Sequence, residues 1–124
     1  MRYLLLLLFL TPFLASCAAP RPAPGAFESA EKRIEAAVAA GAEQHSPVEL
    51  RFAREKLAEA HKGMEEGYNQ TEKSIYLIEQ SEINSELAIE KSRTAKLRAR
   101  VAELARQNEI LREDFEATFG EAVQ

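Results

Sequence analysis

Asn69-Gln70-Thr71-Glu72-Lys73-Ser74-Ile75-Tyr76-Leu77-Ile78 opens a stretch with no proline, and no glycine interrupts it before Gly120. Asn69 stands where a side-chain oxygen accepts an orphan backbone N–H, and Glu72, three residues on, completes a capping arrangement. With no breaker behind that start, the spacing predicts one helix of roughly fifty residues, ~70 Å at 1.5 Å per residue. Low aromatic content, no Trp and abundant Ala and Glu suit such helices better than a sheet, so the expected fold is all-α.

The two halves of this helix differ. Ile75-Tyr76-Leu77-Ile78 is apolar all round, and Ile83, Leu87, Ala88 and Ile89 continue that character. This half is expected to pack against the helices that precede it. From Arg93 onward a narrow seam remains: Leu97, Val101, Leu104, Asn108, Leu111 and Phe115 alternate four and three residues apart. That is a heptad seam, with Leu97, Leu104 and Leu111 at d, and Val101, Asn108 and Phe115 at a. A single Asn at a fixes register and partner number at some cost in stability.

Working backwards, Ser46-Pro47-Val48-Glu49 reads as a second helix start: a capping hydroxyl, a proline at the first helical position and a glutamate at the third. Leu50, Ala53, Leu57, Ala60 and Met64 mark its inward stripe, and Gly67 is a stop. An earlier helix is expected from Phe27 to Ala42, with Phe27, Ala30, Ile34, Ala37, Val38 and Gly41 on one face. The architecture is therefore a short helical hairpin or three-helix unit over residues 27–92. A coiled-coil-like C-terminal arm follows over 93–124.

Ala39-Ala40-Gly41-Ala42, then Pro47-x-Glu49-Leu50, Ala53-x-x-Lys56-Leu57-x-x-Ala60 and Gly67-Tyr68 resemble an uncharacterised family, the domain of unknown function forty-three ninety-eight. The resemblance covers roughly Ala30 to Arg100. It implies an alanine-rich helical hairpin carried on bacterial periplasmic lipoproteins, in some members fused to an OmpA-type peptidoglycan-binding domain. No such domain follows here, so direct peptidoglycan binding is not carried over, and the family supplies no reaction.

At the other end of the chain, Met1-Arg2 is a short positive start and Tyr3 to Leu10 a leucine-dominated apolar run. Leu14-Ala15-Ser16-Cys17 closes it, in the order of a secretory signal. From Tyr3 to Ala15 a helix would cover only ~20 Å, short of the ~30 Å hydrocarbon core, which argues against an uncleaved span. Leu14-Ala15-Ser16-Cys17 resembles the lipobox of bacterial lipoproteins. The resemblance implies removal of residues 1–16, a covalent diacylglyceryl group on the Cys17 sulfur and an N-acyl group on its new amino terminus. Several acyl chains give stable anchoring, where one is marginal. Ala18 follows Cys17 rather than Asp, which by analogy with enterobacterial lipoproteins implies the outer membrane, periplasmic face. Residues 17–26, with Pro20, Pro22 and Pro24 alternating, are expected to be an extended tether.

Composition points away from chemistry. A net charge of −4 gives no footprint for nucleic acid. One cysteine excludes an intramolecular disulfide, and two histidines without neighbours at ligand spacing offer no metal site. No catalytic residues and no cofactor beyond the acyl groups are expected. The charge order of the long helix is more informative. Lys91, Arg93, Lys96, Arg98 and Arg100 form a basic band between acidic segments. The band is read either as a solvated face or as a docking stripe for an acidic partner, including the anionic glycan-peptide of the cell wall.

The function expected from these residues is a non-enzymatic, outer-membrane-anchored lipoprotein acting as a structural element through helix–helix contacts. Its partners would be the membrane through the lipid anchor, and an envelope protein or a second copy through the C-terminal helix. The alternative is an adaptor whose hairpin grips a peptide or an envelope enzyme. The two differ in where they leave apolar surface: along Leu97 to Phe115 for the first, between the hairpin helices for the second.

Overall fold

The computed structural model of the chain describes residues 21–67 and 71–120. The signal segment, Cys17 and the Asn69 cap lie outside them. Four helices make up the described residues, with no strand: α1 Ala26–Ala39, the single turn α2 Ala42–His45, α3 Pro47–Glu66 and α4 Thr71–Phe119. The 49 residues of α4 form one uninterrupted helix, as the absence of Pro and Gly predicts.

α1 ends three residues before the expected Ala42. Gly41 takes φ 88° and turns the chain out of the helix, its N–H donating to the Val38 carbonyl at 2.8 Å, and the backbone re-enters helical geometry as α2. This left-handed backbone is the conformation that glycine adopts without a Cβ penalty. α3 starts at Pro47 as the sequence indicates.

α1 runs alongside α4 in the same direction, with Ser29 bonded to Glu82 and Arg33 beside Glu82 and Glu86. α3 runs against it, with Ala53 opposite Ser81 and Glu59 opposite Lys73. Two small apolar clusters hold the three together. Ala30, Leu57, Ala60, Leu77 and Ile78 form one, with Phe27 and Ile34 against it. Ala37, Ala42, Leu50 and Ala88 form the other, with Ile34 and Ile89 against it.

The inward face of α4 is the main departure from expectation. Its buried residues are Thr71, Ser74, Leu77, Ile78, Ser81, Ser85, Ala88 and Ser92. Ser74, Ile78, Ser81, Ser85, Ala88 and Ser92 step four and three residues apart, so four of six inward positions are serines. Small side chains let helix axes come close, since interaxial distance follows the residues at the contact. Hydrogen bonding makes the burial of Ser81, Ser85 and Ser92 tolerable. Ser85 donates to the Ser81 carbonyl one turn back at 2.9 Å, and Ser81 crosses to the Ala53 carbonyl on α3 at 2.8 Å. Tyr76, Ile83 and Leu87, by contrast, lie exposed on the outer face. Ile83 and Leu87 therefore do not pack against the preceding helices. Successive helix residues turn by about 100°, so positions two apart point to opposite sides, and the serines took the inward one.

Beyond Ser92 no residue of α4 is buried. The helix leaves the bundle at the end where α1, α2 and α3 turn, and continues to Phe119, about 40 Å further at 1.5 Å per residue.

Candidate functional site

The capping residues are built into the bundle in a way the sequence did not disclose. Ser46 precedes the first residue of α3, but its hydroxyl makes no capping bond. It lies 2.7 Å from the Ala88 carbonyl and 2.8 Å from the Ser92 hydroxyl, which is itself 2.7 Å from the same carbonyl. Three buried oxygens thus share two hydroxyl protons and pin the turn before α3 to α4. Glu49, expected to complete a capping box with Ser46, instead forms an ion pair with Lys91 and has a side chain only 15% exposed. The Lys91 ammonium and the residue's own backbone N–H together hold its carboxyl below the usual carboxylate range. At the opposite end Lys73 bonds Glu59 at 2.9 Å, pushing the Glu59 carboxyl down and the Lys73 ammonium up. Glu72 lies exposed in the first turn of α4, where a negative charge suits the helix dipole.

The seam lies on open helix. Leu97, Val101, Leu104, Leu111 and Phe115 are between 42 and 66% exposed, and Asn108 is exposed with them. Tyr76, Ile83 and Leu87 fall in the same heptad positions further back. The seam therefore continues down the outer face of the bundle, interrupted by Glu90 and Thr94 at the neck. Phe115 and Phe119 stack one turn apart with ring centroids at 5.0 Å.

The basic band does not form a single stripe. Lys91 and Arg98 flank the seam on one side, at e, while Arg93 and Arg100 flank it on the other, at g. Lys91 is held by Glu49 and Arg93 by Glu90. Lys96 lies over the α1–α2 turn, where its ammonium would stand 3.0 Å from a Cβ placed on Gly41. Further out, Arg106 and Arg112 are paired with Glu103 and Glu109, each at 2.7 Å. Arg98, Arg100 and Asp114 make no ion pair with any described residue.

α1 and α3 meet each other directly, Ala30 sharing a cluster with Leu57 and Ala60, while Ser81 of α4 bonds to the Ala53 carbonyl of α3. Among the described residues no three His, Cys, Asp or Glu side chains gather as they would around a metal ion. His61 stacks on Phe27 with centroids 4.1 Å apart and stands 3.7 Å from Glu31. No helix among the described residues is long and apolar enough to cross a membrane.

The family described as Domain of unknown function (DUF4398) matches residues 25–104. The chain belongs to that family. The DUF4398 match starts at Gly25, immediately before α1, and ends at Leu104 in the arm. It takes in the whole helical bundle and the first half of the seam, and the seam residues Asn108, Leu111 and Phe115 lie outside it. No curated protein matches the chain, and no solved structure does.

Proposed function

We propose that this member of the DUF4398 family is a non-enzymatic lipoprotein, anchored to the outer membrane through acylated Cys17 and facing the periplasm. It acts as a structural element through its long helix. The positive start, the leucine run and the Leu14-Ala15-Ser16-Cys17 order support the anchor. The observation that carries the structural role is the arm. A helix extends about 40 Å past the last buried residue, and its apolar seam contributes nothing to its own bundle. Exposed leucines at heptad spacing are a surface built for another helix.

Two measurements test this. Mass spectrometry of the purified protein is expected to find acylated Cys17 as the first residue. A photo-crosslinking residue in place of Val101, in intact cells, is expected to capture a helical polypeptide. An intact Met1 removes the anchor from the proposal. An uncaptured Val101 position at native abundance removes the contact surface.

A further inference from the structure

We propose that the occupant of the arm is a second copy of the same chain, paired antiparallel in the register that sets Leu97 opposite Phe115 and Arg100 opposite Asp114. This rests on the reading of the arm as a helix-to-helix contact surface and names what fills it.

The core of the pairing is self-complementary. In an antiparallel coil each a position packs against a d position. Setting Leu97 against Phe115 also sets Val101 against Leu111 and Leu104 against Asn108. All six seam residues are used, each pair occurring twice about a two-fold axis. The same register places Arg93 opposite Phe119, so the exposed arm overlays its copy from end to end. Ser92, the last buried residue of each α4, then falls just beyond Phe119 of the other copy.

The flanking charges select this orientation. In the antiparallel register Arg100 at g faces Asp114 at g of the second copy. Neither has an ion-pair partner among the described residues, and the contact occurs twice. Arg98 at e faces Arg112 of the second copy, but Arg112 carries its own glutamates, Glu109 at 2.7 Å and Glu116 at 3.8 Å. Arg98 therefore meets a cluster with net negative charge. In a parallel pair Arg93, itself paired with Glu90, would face Arg98, and neither Arg100, opposite the uncharged Ala105, nor Asp114, opposite the uncharged Phe119, would gain a partner. Glu90 at d would meet its own copy in the seam. The one attraction a parallel pair offers, Glu86 to Lys91, needs a lysine already held by Glu49. Exposed pairs of this kind contribute little affinity each and act mainly on orientation.

Disulfide trapping in membranes, with Cys17 acylated and so not free to react, decides the arrangement. Ala105→Cys lies on the two-fold axis and is expected to crosslink to itself. Leu97→Cys and Phe115→Cys are expected to crosslink only when the two variants are mixed. In sedimentation of the detergent-solubilised mature protein, Arg100→Asp is expected to raise the dimer dissociation constant about tenfold. Adding Asp114→Arg is expected to restore it. Efficient self-crosslinking of Leu97→Cys or Phe115→Cys overturns the proposal in favour of a parallel pair. Failure of Asp114→Arg to rescue Arg100→Asp overturns the register. If no cysteine variant forms a homodimer while a crosslinker at Val101 captures a different protein, the second copy is excluded and the contact surface stands. If neither occurs, both fall.

Discussion

The hydroxyl of Ser46 lies 2.7 Å from the carbonyl of Ala88, forty-two residues away, and ties the turn before α3 to the middle of α4. A residue placed as a helix cap thus works as a cross-brace. Ser46→Ala is expected to destabilise the bundle by about 1–2 kcal/mol, the size of a lost buried hydrogen bond. The informative variant is Ser46→Asn. Asn caps a helix as well as Ser does, so a capping role would leave the melting temperature unchanged. At a position 3% exposed, against Ser92, the larger side chain should instead lower it further than alanine does.

The serines facing inward from α4 should not respond alike. Ser81 bonds across to Ala53, so Ser81→Ala is expected to cost about 1 kcal/mol. The Ser74 hydroxyl is fully buried and meets no partner among the described residues. Removing an unsatisfied buried hydroxyl is neutral or favourable, so Ser74→Ala is expected to match or exceed wild type in denaturant midpoint. Equal losses for the two variants would show that Ser74 has a bond of its own.

Acid should loosen the bundle through two named carboxylates. Glu49 and Glu59 both have folded values below the ordinary carboxylate range, held there by Lys91 and Lys73. A depressed carboxylate contributes stability that is complete above its unfolded value and disappears as pH falls through the folded one. Melting temperature is therefore expected to drop below about pH 5, starting from the ordinary carboxylate value. Glu49→Gln and Glu59→Gln should melt below wild type at pH 7 and converge with it in strong acid. On the alkaline side Lys73, whose folded value is raised, loses its contribution as pH climbs past that value.

Gly41 gives a test of backbone strain. With φ at 88°, Gly41→Ala is expected to cost about 1–2 kcal/mol, the penalty of an L residue in left-handed geometry. The added Cβ would also approach the Lys96 ammonium, but that is the end of a flexible side chain. Lys96→Ala should therefore fail to rescue Gly41→Ala in thermal melts. Rescue would mean that the contact, not the backbone, sets the cost.

Much of the fold was readable from residues that punctuate helices. The run from Thr71 to Phe119 holds no Pro or Gly, and Ser46-Pro47 marks the start of α3; both landmarks hold. What a hydrophobic pattern could not disclose was the identity of the buried face. Ser74, Ser81, Ser85 and Ser92 count as polar, yet they are the residues hidden. Two neighbouring leucine-class side chains, Ile83 and Leu87, face outward instead. The usable signal was spacing by size: small residues at 74, 81, 85, 88 and 92 follow a heptad that matches the alanines at 30, 37, 53 and 60. The Leu97 to Phe115 seam was legible from its heptad spacing, and no described residue covers it. Linear order leaves the basic band open between a solvated face and a docking stripe, because it hides the fact that e and g lie on opposite flanks.

Because α4 passes from bundle to arm without a break, the distance between the two is counted in residues. Seven residues inserted between Ser92 and Leu97 would carry the arm about 10 Å outward while turning its seam by only about 20°. Four would turn it by about 40° and lift it about 6 Å. Reach is thus adjustable in whole heptads at almost no cost in aim. Length differences in this neck between related chains become interpretable: about seven, eleven or eighteen residues, each within about 20° of a whole number of turns, signal the same grip at a new span, and about two or five signal a grip that has been re-aimed.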